Sequence, residues 1–247
     1  MQLGKYELGP NDTAENGIYT GDAIELAKGI PDDSVDLIFT DPPYPKEYLP
    51  VYYAIVKEAA RILKPSGFLM MYVGGYWKDD IMAEARKHLK YFWDYVVWEP
   101  GNSPVNWPRK TIARNKSIMA YTRKDAENAL PNTQVLSVWL GGGEDKRYHI
   151  WGQDESQARY YIDCFSAKDN IVLDLCAGGG TTPYIAHKLE RRYLAFEIDA
   201  EIAEMARGRV KSLDMQEEYK TAGIEVETNY QSSMFEKEVT GNDNKCK

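Results

Sequence analysis

The sequence predicts an α/β domain built on one doubly wound, mostly parallel, Rossmann-like sheet, and three observations support it. Short apolar runs bounded by turn residues alternate with stretches of helical period. One run, Val35-Asp36-Leu37-Ile38-Phe39-Thr40, is apolar at most of its positions, as a parallel strand covered on both faces must be. A glycine-rich segment, Ala177-Gly178-Gly179-Gly180, follows another such run and opens a helical stretch. The 247 residues leave room for one large domain, or one domain with an insertion, around a full-sized core.

The elements follow in order. The first sixteen residues have no clear period; Ile18-Tyr19-Thr20 is a short strand, and Ala23 to Ala27 suits a short helix ended by Gly29 and Pro31. The apolar strand at 35–40 stops at Asp41-Pro42-Pro43-Tyr44. Tyr48 to Leu63 is a helix with Ile55, Ala59 and Ile62 on one face, closed by Lys64-Pro65-Ser66-Gly67. Phe68 to Val73 is a strand, Ile81 to Leu89 a helix, and Phe92 to Trp98 a strand. Ser117 to Tyr121 reads as one more strand, and Val135 to Leu140 as an apolar piece in an irregular stretch. A helix at 154–165, a strand at 171–175, a helix at 181–189, a strand at 193–198 and a helix at 200–210 complete the alternation. Residues 1–100 and 151–213 therefore form the main domain, 101–150 an insertion, and 214–247 a polar acidic tail expected to be partly disordered.

Hydrophobic residues at 43% and charged residues at 28% describe an ordinary globular chain. No run approaches the ~18 apolar residues of a membrane span, and Met1-Gln2-Leu3-Gly4-Lys5 lacks the pattern of a secretory signal. Three widely spaced cysteines give no disulfide framework, and no Cys or His pair has zinc spacing, so a cytoplasmic protein without a metal is expected. The net charge of −8 argues against a general polyanion binder. Residues 101–124 are the exception, with Arg109, Lys110, Arg114, Lys116, Arg123 and Lys124 and no acid. Nucleic-acid contacts should be concentrated there, and Trp107, beside a proline and Arg109, is the best aromatic candidate for one. Trp98 and Trp151 read as core packing.

Two segments at strand ends carry chemistry. Leu173-Asp174-Leu175-Cys176-Ala177-Gly178-Gly179-Gly180-Thr181 lets backbone approach a ligand closely, and amides at a helix start favour an anionic group. Glu197 closes the next strand, where an acid can hold ribose hydroxyls. A dinucleotide fingerprint would need a third glycine where Pro183 stands, so a different nucleoside-containing cofactor is implied. The second segment is Asp41-Pro42-Pro43-Tyr44. Asp41 and the Pro42 carbonyl supply acceptors, the proline pair fixes their directions, and Tyr44 offers a ring for stacking. Two acceptors beside an aromatic face suit a planar ring with an exocyclic amino group.

Asp-Pro-Pro-Tyr after an apolar strand, with Asp-x-x-x-Gly-x-Gly-Thr-Thr later in the chain, resembles the amino-group DNA methyltransferases that use S-adenosyl-L-methionine. The order of the segments resembles their circularly permuted "beta" subgroup, over about Ile18 to Val210. Gly21-Asp22-Ala23 and Arg191 to Asp199 strengthen the likeness. It implies that the main domain is catalytic and that 101–150 is a short target-recognition region, suited to a short or relaxed site. Asp41 and Pro42 would take the amino hydrogens of a flipped base, with Pro43 shaping the turn and Tyr44 stacking. Asp174, Cys176, Ala177, Gly178, Gly180 and Thr181 would line the cofactor, with Glu197 on its ribose. Asp22 resembles the acid near the cofactor's adenine, but equally suits an N-cap. Gln153 and Ser156 resemble part of the methionine-binding segment. Trp107, Arg109, Lys110, Arg114 and Lys116 would meet DNA, double-stranded by preference.

Two departures stand out: Leu175-Cys176 replaces the common Pro-Phe, and Pro45 follows the target-base motif where Asn is common. Methyl transfer to an amine needs no thiol, so Cys176 reads as a small filler. Adenine N6 is the first choice of target, since Asp opens the motif; cytosine N4 is the rival, because the same acceptors serve it. An RNA substrate and a subunit that needs a partner to act stay open, and a homodimer is implied by the resemblance alone.

Overall fold

The computed structural model describes residues 2–9, 17–98, 105–140 and 155–221, with the side chains of 105–107 and 214–221 left aside. Gln153, Trp151 and most of the acidic tail lie outside them. Met1–Lys211 form one compact unit and Ser212–Lys247 a second, described only as the last turns of a helix.

Eight strands form the main sheet: β1 (Ile18–Thr20), β2 (Val35–Thr40), β3 (Leu63–Val73), β4 (Leu89–Trp98), β5 (Asn115–Arg123), β6 (Val138–Leu140), β7 (Ile171–Asp174) and β8 (Arg192–Glu197). Their order is β6-β4-β5-β3-β2-β7-β8-β1. Only β5 is antiparallel to its neighbours; every other pair is parallel. The helices are α1 (Ala23–Ala27), α2 (Leu49–Ile62), α3 (Lys78–His88), α4 (Glu155–Phe165), α5 (Thr181–Lys188) and α6 (Ala200–Thr221).

The alternation of a strand sends successive side chains to opposite faces, and the two faces build two cores. Ile38, Leu69, Met71, Leu173 and Phe196 pack with Ile55, Ala59 and Ile62 of α2 and Ile81 and Ala85 of α3. Leu37, Phe39, Met70, Val172 and Ala195 pack with Tyr161, Ile162 and Phe165 of α4, Ile185 of α5 and Ala206 of α6. This is the three-layer doubly wound architecture that the alternation of apolar runs predicts.

Two strands within the expected insertion at 101–150 belong to the main sheet. β5 sits between β3 and β4, and β6 forms the edge beside β4. Ser117 to Tyr121 face both cores, so their apolar character is that of an interior strand. Between β4 and β5 the described residues hold only a two-residue pair, Val105–Asn106 with Thr111–Ile112, and the turn Trp107–Arg109.

Among the differences from the expectation, two concern the extent of an element and one concerns burial. β3 starts at Leu63, because the residues read as a closing turn are absorbed in a register shift opposite Val35–Leu37. α6 runs on to Thr221, since the chain beyond Val210 is rich in good helix formers and free of Gly and Pro. Trp98, expected in the core, is 44% exposed at the end of β4.

Candidate active site

β2 and β7 are neighbours, Leu37 beside Val172 and Ile38 beside Leu173. From β2 the chain leaves towards β3, and from β7 it leaves towards β8 on the other side. Their C-terminal ends therefore flank the crevice where an open α/β sheet binds ligands. Asp41-Pro42-Pro43-Tyr44 follows β2, and the segment beginning at Asp174 ends β7, so two distant segments meet at one switch point. Thr182 of α5 donates to the Phe39 carbonyl at 3.4 Å, tying the two strand ends together.

The Asp41–Tyr44 segment is held from two sides. The Tyr52 hydroxyl, from the first turns of α2, donates to the Pro42 carbonyl at 2.9 Å. Burial, and then the charge of Asp41, push this phenol well above its ordinary range, so it stays a donor. A carbonyl has two lone pairs, and the second remains for another donor. Gly74, just past β3, faces Tyr44: a Cβ there would come within 3.1 Å of Tyr44 Cβ and Cγ. The Tyr44 hydroxyl is buried and faces the Asp41 carboxylate; burial first, and Asp41 second, raise its pKa. Its ring is partly exposed, while Pro43 lies at the surface.

The second segment is shaped by its own backbone. Asp174, 3% exposed, accepts from the Cys176 amide at 3.0 Å. Burial pushes its carboxyl up to about 6, against the donors that would lower it: that amide and the Thr182 and Thr40 hydroxyls. The Cys176 thiol is raised far from its ordinary range by burial and by the charges of Asp174, Glu197 and Asp41. It therefore stays protonated under the influence of three carboxylates. The Ala177 amide donates to Phe196 and the Gly180 amide to Ala177.

The two glycines do different work. Gly178 has φ +48° and open space where a Cβ would stand. Gly180 has φ +75°, and a Cβ there would lie 2.8 Å from Ala206 Cβ, so it serves the close approach of α6. Glu197 accepts from the Gly178 amide at 2.8 Å through Oε2 and from the Asp199 amide at 3.0 Å through Oε1, leaving further acceptor capacity on each oxygen. The Gly21 amide donates to the Glu197 carbonyl and brings Asp22 alongside. Asp22 caps α1 through Oδ1, accepting from the Ile24 and Glu25 amides. The cap reading is therefore realised at a place next to the crevice.

Other candidates are drawn elsewhere. The Thr181 hydroxyl accepts from Arg209, which also donates to the Gly179 carbonyl and to Glu155, all at 3.0 Å. Arg209, 5% exposed, braces the loop from behind, with its guanidinium over the Tyr184 ring. Ser156 accepts from the Trp139 indole at 3.4 Å; its neighbour Glu155 is what joins α4 to the loop. Among the basic residues, Arg109, Lys110 and Arg114 are exposed. Arg123 is engaged by Asp33, Asp125 and the Leu63 carbonyl, and Lys124 by the Lys87 carbonyl. Two of the six cations of that stretch therefore serve the fold.

Sequence reading missed Tyr52, Gly74, Arg209 and Ile198. Ile198, one residue past Glu197, is 72% exposed, a bare aliphatic surface just beyond the end of β8. Its signal is its place after the strand-ending acid. No cluster of three metal-ligating side chains occurs among the described residues, and no helix among them is long and apolar enough to cross a membrane.

Residues 35–208 match the N6/N4 DNA methylase family. The chain belongs to this family. The type II methyltransferase M.BamHI of Bacillus amyloliquefaciens is 25% identical over 248 residues, 80% of this chain and 57% of that one. The chain thus spans little more than half the length of that relative. In fold it is similar to the PvuII DNA methyltransferase, cytosine-N4-specific, with a TM-score of 0.68 and 17% identity over 78% of this chain and 85% of that one. It is similar also to a protein of Thermus thermophilus, described as a DNA modification methylase and complexed with S-adenosyl-L-methionine, with a TM-score of 0.65 and 21% identity over 79% and 93%.

Proposed function

We propose that the protein transfers a methyl group from S-adenosyl-L-methionine to the exocyclic N6 of an adenine extruded from DNA. The observation that carries this reading is that the segments bearing Asp41 and Asp174 leave neighbouring strands at the β2/β7 switch point, with Glu197 accepting from the Gly178 amide of the second segment. Asp174 and Glu197 suit a ligand with a sulfonium, an ammonium and ribose hydroxyls, open space at Gly178 leaves room for it, and Asp41 is left for the amine that receives the methyl group. Asp174, Ala177 and Gly178 would hold the methionine end and Glu197 the ribose. The exposed Ile198 and the Asp22 segment would lie against the adenine.

The cofactor supplies an electrophilic methyl group; the remaining work falls to the chain. An exocyclic amine has its lone pair delocalised into the base and is a poor nucleophile. Asp41 and the Pro42 carbonyl accept its two hydrogens, drawing the nitrogen towards tetrahedral geometry and freeing the lone pair. Tyr52 holds the Pro42 carbonyl so that its second lone pair faces the crevice. The proton released after transfer leaves by way of Asp41. Such catalysis is positioning and charge stabilisation, without a covalent intermediate. Extrusion of the base costs a few kcal/mol, and stacking on Tyr44 returns roughly 1–3 kcal/mol.

Mass spectrometry of nucleosides, after incubating protein, S-adenosyl-L-methionine and unmethylated duplex DNA, tests the reading. N6-methyladenine, lost in Asp41→Ala, is the expected result. N4-methylcytosine would overturn the choice of base and keep the reaction. No modified nucleoside on DNA would overturn the reaction itself.

A further inference from the structure

Beside the target-base motif, three chain segments build a row of alternating chemistry. Lys46, two residues past Tyr44, places its Nζ 5.0 Å from the centre of the Trp77 ring. Trp77 lies 4.8 Å from Tyr76, centre to centre, at 56°. The Arg109 guanidinium stands 4.1 Å over the Tyr76 ring. The rings follow Gly74, whose backbone supports Tyr44, so the row borders the motif directly. The next residue, Lys78, is tied to Asp94 and, at 2.8 Å, to the Ser117 hydroxyl, which pins the ring-bearing segment to β4 and β5.

Both cations are exposed, and among the described residues neither has a carboxylate partner. Cations that serve the fold at the other end of the sheet do have partners: Arg61 pairs with Asp32 and Glu58, and Lys64 with Asp36. A cation stacked on a ring uses only the face of its charge. The N–H donors in the plane of the Arg109 guanidinium, and the outward hydrogens of Lys46, remain for another acceptor. The stacking also removes rotamer freedom that a free long side chain would lose on binding.

We propose that Lys46 and Arg109, each seated on an aromatic ring, are pre-positioned phosphate contacts that grip the DNA strand beside the Asp41–Tyr44 site, with Trp77 and Tyr76 as their supports. The proposal rests on the methyltransferase reading and adds to it where the strand is held. Arg109 draws the short turn at 107–109 over the ring segment, so the grip joins the region between β4 and β5 to the target-base motif.

The test is the salt dependence of DNA binding, followed by fluorescence anisotropy with a labelled duplex. Each phosphate contact contributes about 0.9 to the slope of log K against log salt. Lys46→Gln and Arg109→Gln should each flatten the slope by about 1 and weaken binding alike on all sequences. Arg109→Lys should keep the slope. Lys90→Gln, which removes the same charge at the opposite end of the sheet, should leave the slope unchanged. Tyr76→Leu should weaken binding although every charge is kept. Slopes unchanged in both Gln variants, or flattened equally by Lys90→Gln, would overturn the proposal while wild-type methylation of DNA leaves the function standing. A wild-type protein that neither binds nor methylates DNA would overturn both.

Discussion

The Tyr52 hydroxyl donates a hydrogen bond to the Pro42 carbonyl from a side chain only 1% exposed, so an interior residue of α2 sets the direction of an acceptor at the crevice. A hydrogen bond of this kind is worth about 1 kcal/mol, or roughly a fivefold to tenfold change in rate if it acts in the transition state. Tyr52→Phe keeps the packing and removes the donor. It should lower kcat by about that factor and leave KM for S-adenosyl-L-methionine unchanged, as read by steady-state methylation. An unchanged kcat would reduce Tyr52 to a packing residue.

Gly178 and Gly180 should respond differently to the same change. In Gly180→Ala the new methyl meets Ala206 at 2.8 Å, and φ +75° is strained for alanine as well. Overpacking and strain each cost about 1–3 kcal/mol, and thermal melting should fall accordingly. Gly178→Ala meets no atom, so its stability loss should be the smaller. Its methyl stands where the ligand would approach, so the dissociation constant for the cofactor should rise. Calorimetric titration beside melting separates the two effects, and equal Tm losses would contradict the division of labour.

The sheet and both motif segments could be read from the sequence because their signals are local. A largely apolar strand, a proline pair and a glycine run carry their meaning within ten residues. What stayed hidden depends on distant partners. Tyr52 reads as one more ring on an apolar helix face until the Pro42 carbonyl is seen above it. Nothing in the sequence sets Arg209 apart from the other cations of α6, yet it is buried against the Gly179 carbonyl, Thr181 and Glu155. Ser117 to Tyr121 is legible as a strand but not as an interior one, since antiparallel placement between β3 and β4 is a fact of pairing and not of composition. Trp98 was expected inside because indoles usually are, but its strand end leaves it at the surface.

Ile198 offers a test of the cofactor mouth that barely touches the fold. Because it is exposed, Ile198→Ala should leave Tm nearly unchanged. If the cofactor's adenine covers it, the lost apolar contact is worth about 1–2 kcal/mol, or roughly tenfold in Kd. Calorimetric titration with S-adenosyl-L-methionine reads this directly. An unchanged Kd would place the adenine elsewhere.

Asp174 makes the apoprotein's stability depend on pH in a direction opposite to that of a salt-bridged acid. Its carboxyl titrates near 6 in the fold against an ordinary 3.8, so between those values the folded chain holds a proton that the unfolded chain has lost. Stability therefore falls as pH rises from about 4 to about 6, and above that the buried charge costs about 3 kcal/mol. Asp174→Asn removes this cost and keeps an oxygen that can accept from the Cys176 amide. Relative to the parent, the variant should gain stability between pH 4 and pH 7, read as the difference in denaturant midpoint at the two pH values. The same change removes one of the two carboxylates that suit the cofactor, so the dissociation constant for S-adenosyl-L-methionine should rise at pH 7. A stability difference independent of pH would mean that Asp174 titrates normally. Unweakened cofactor binding would mean that its charge serves the loop alone.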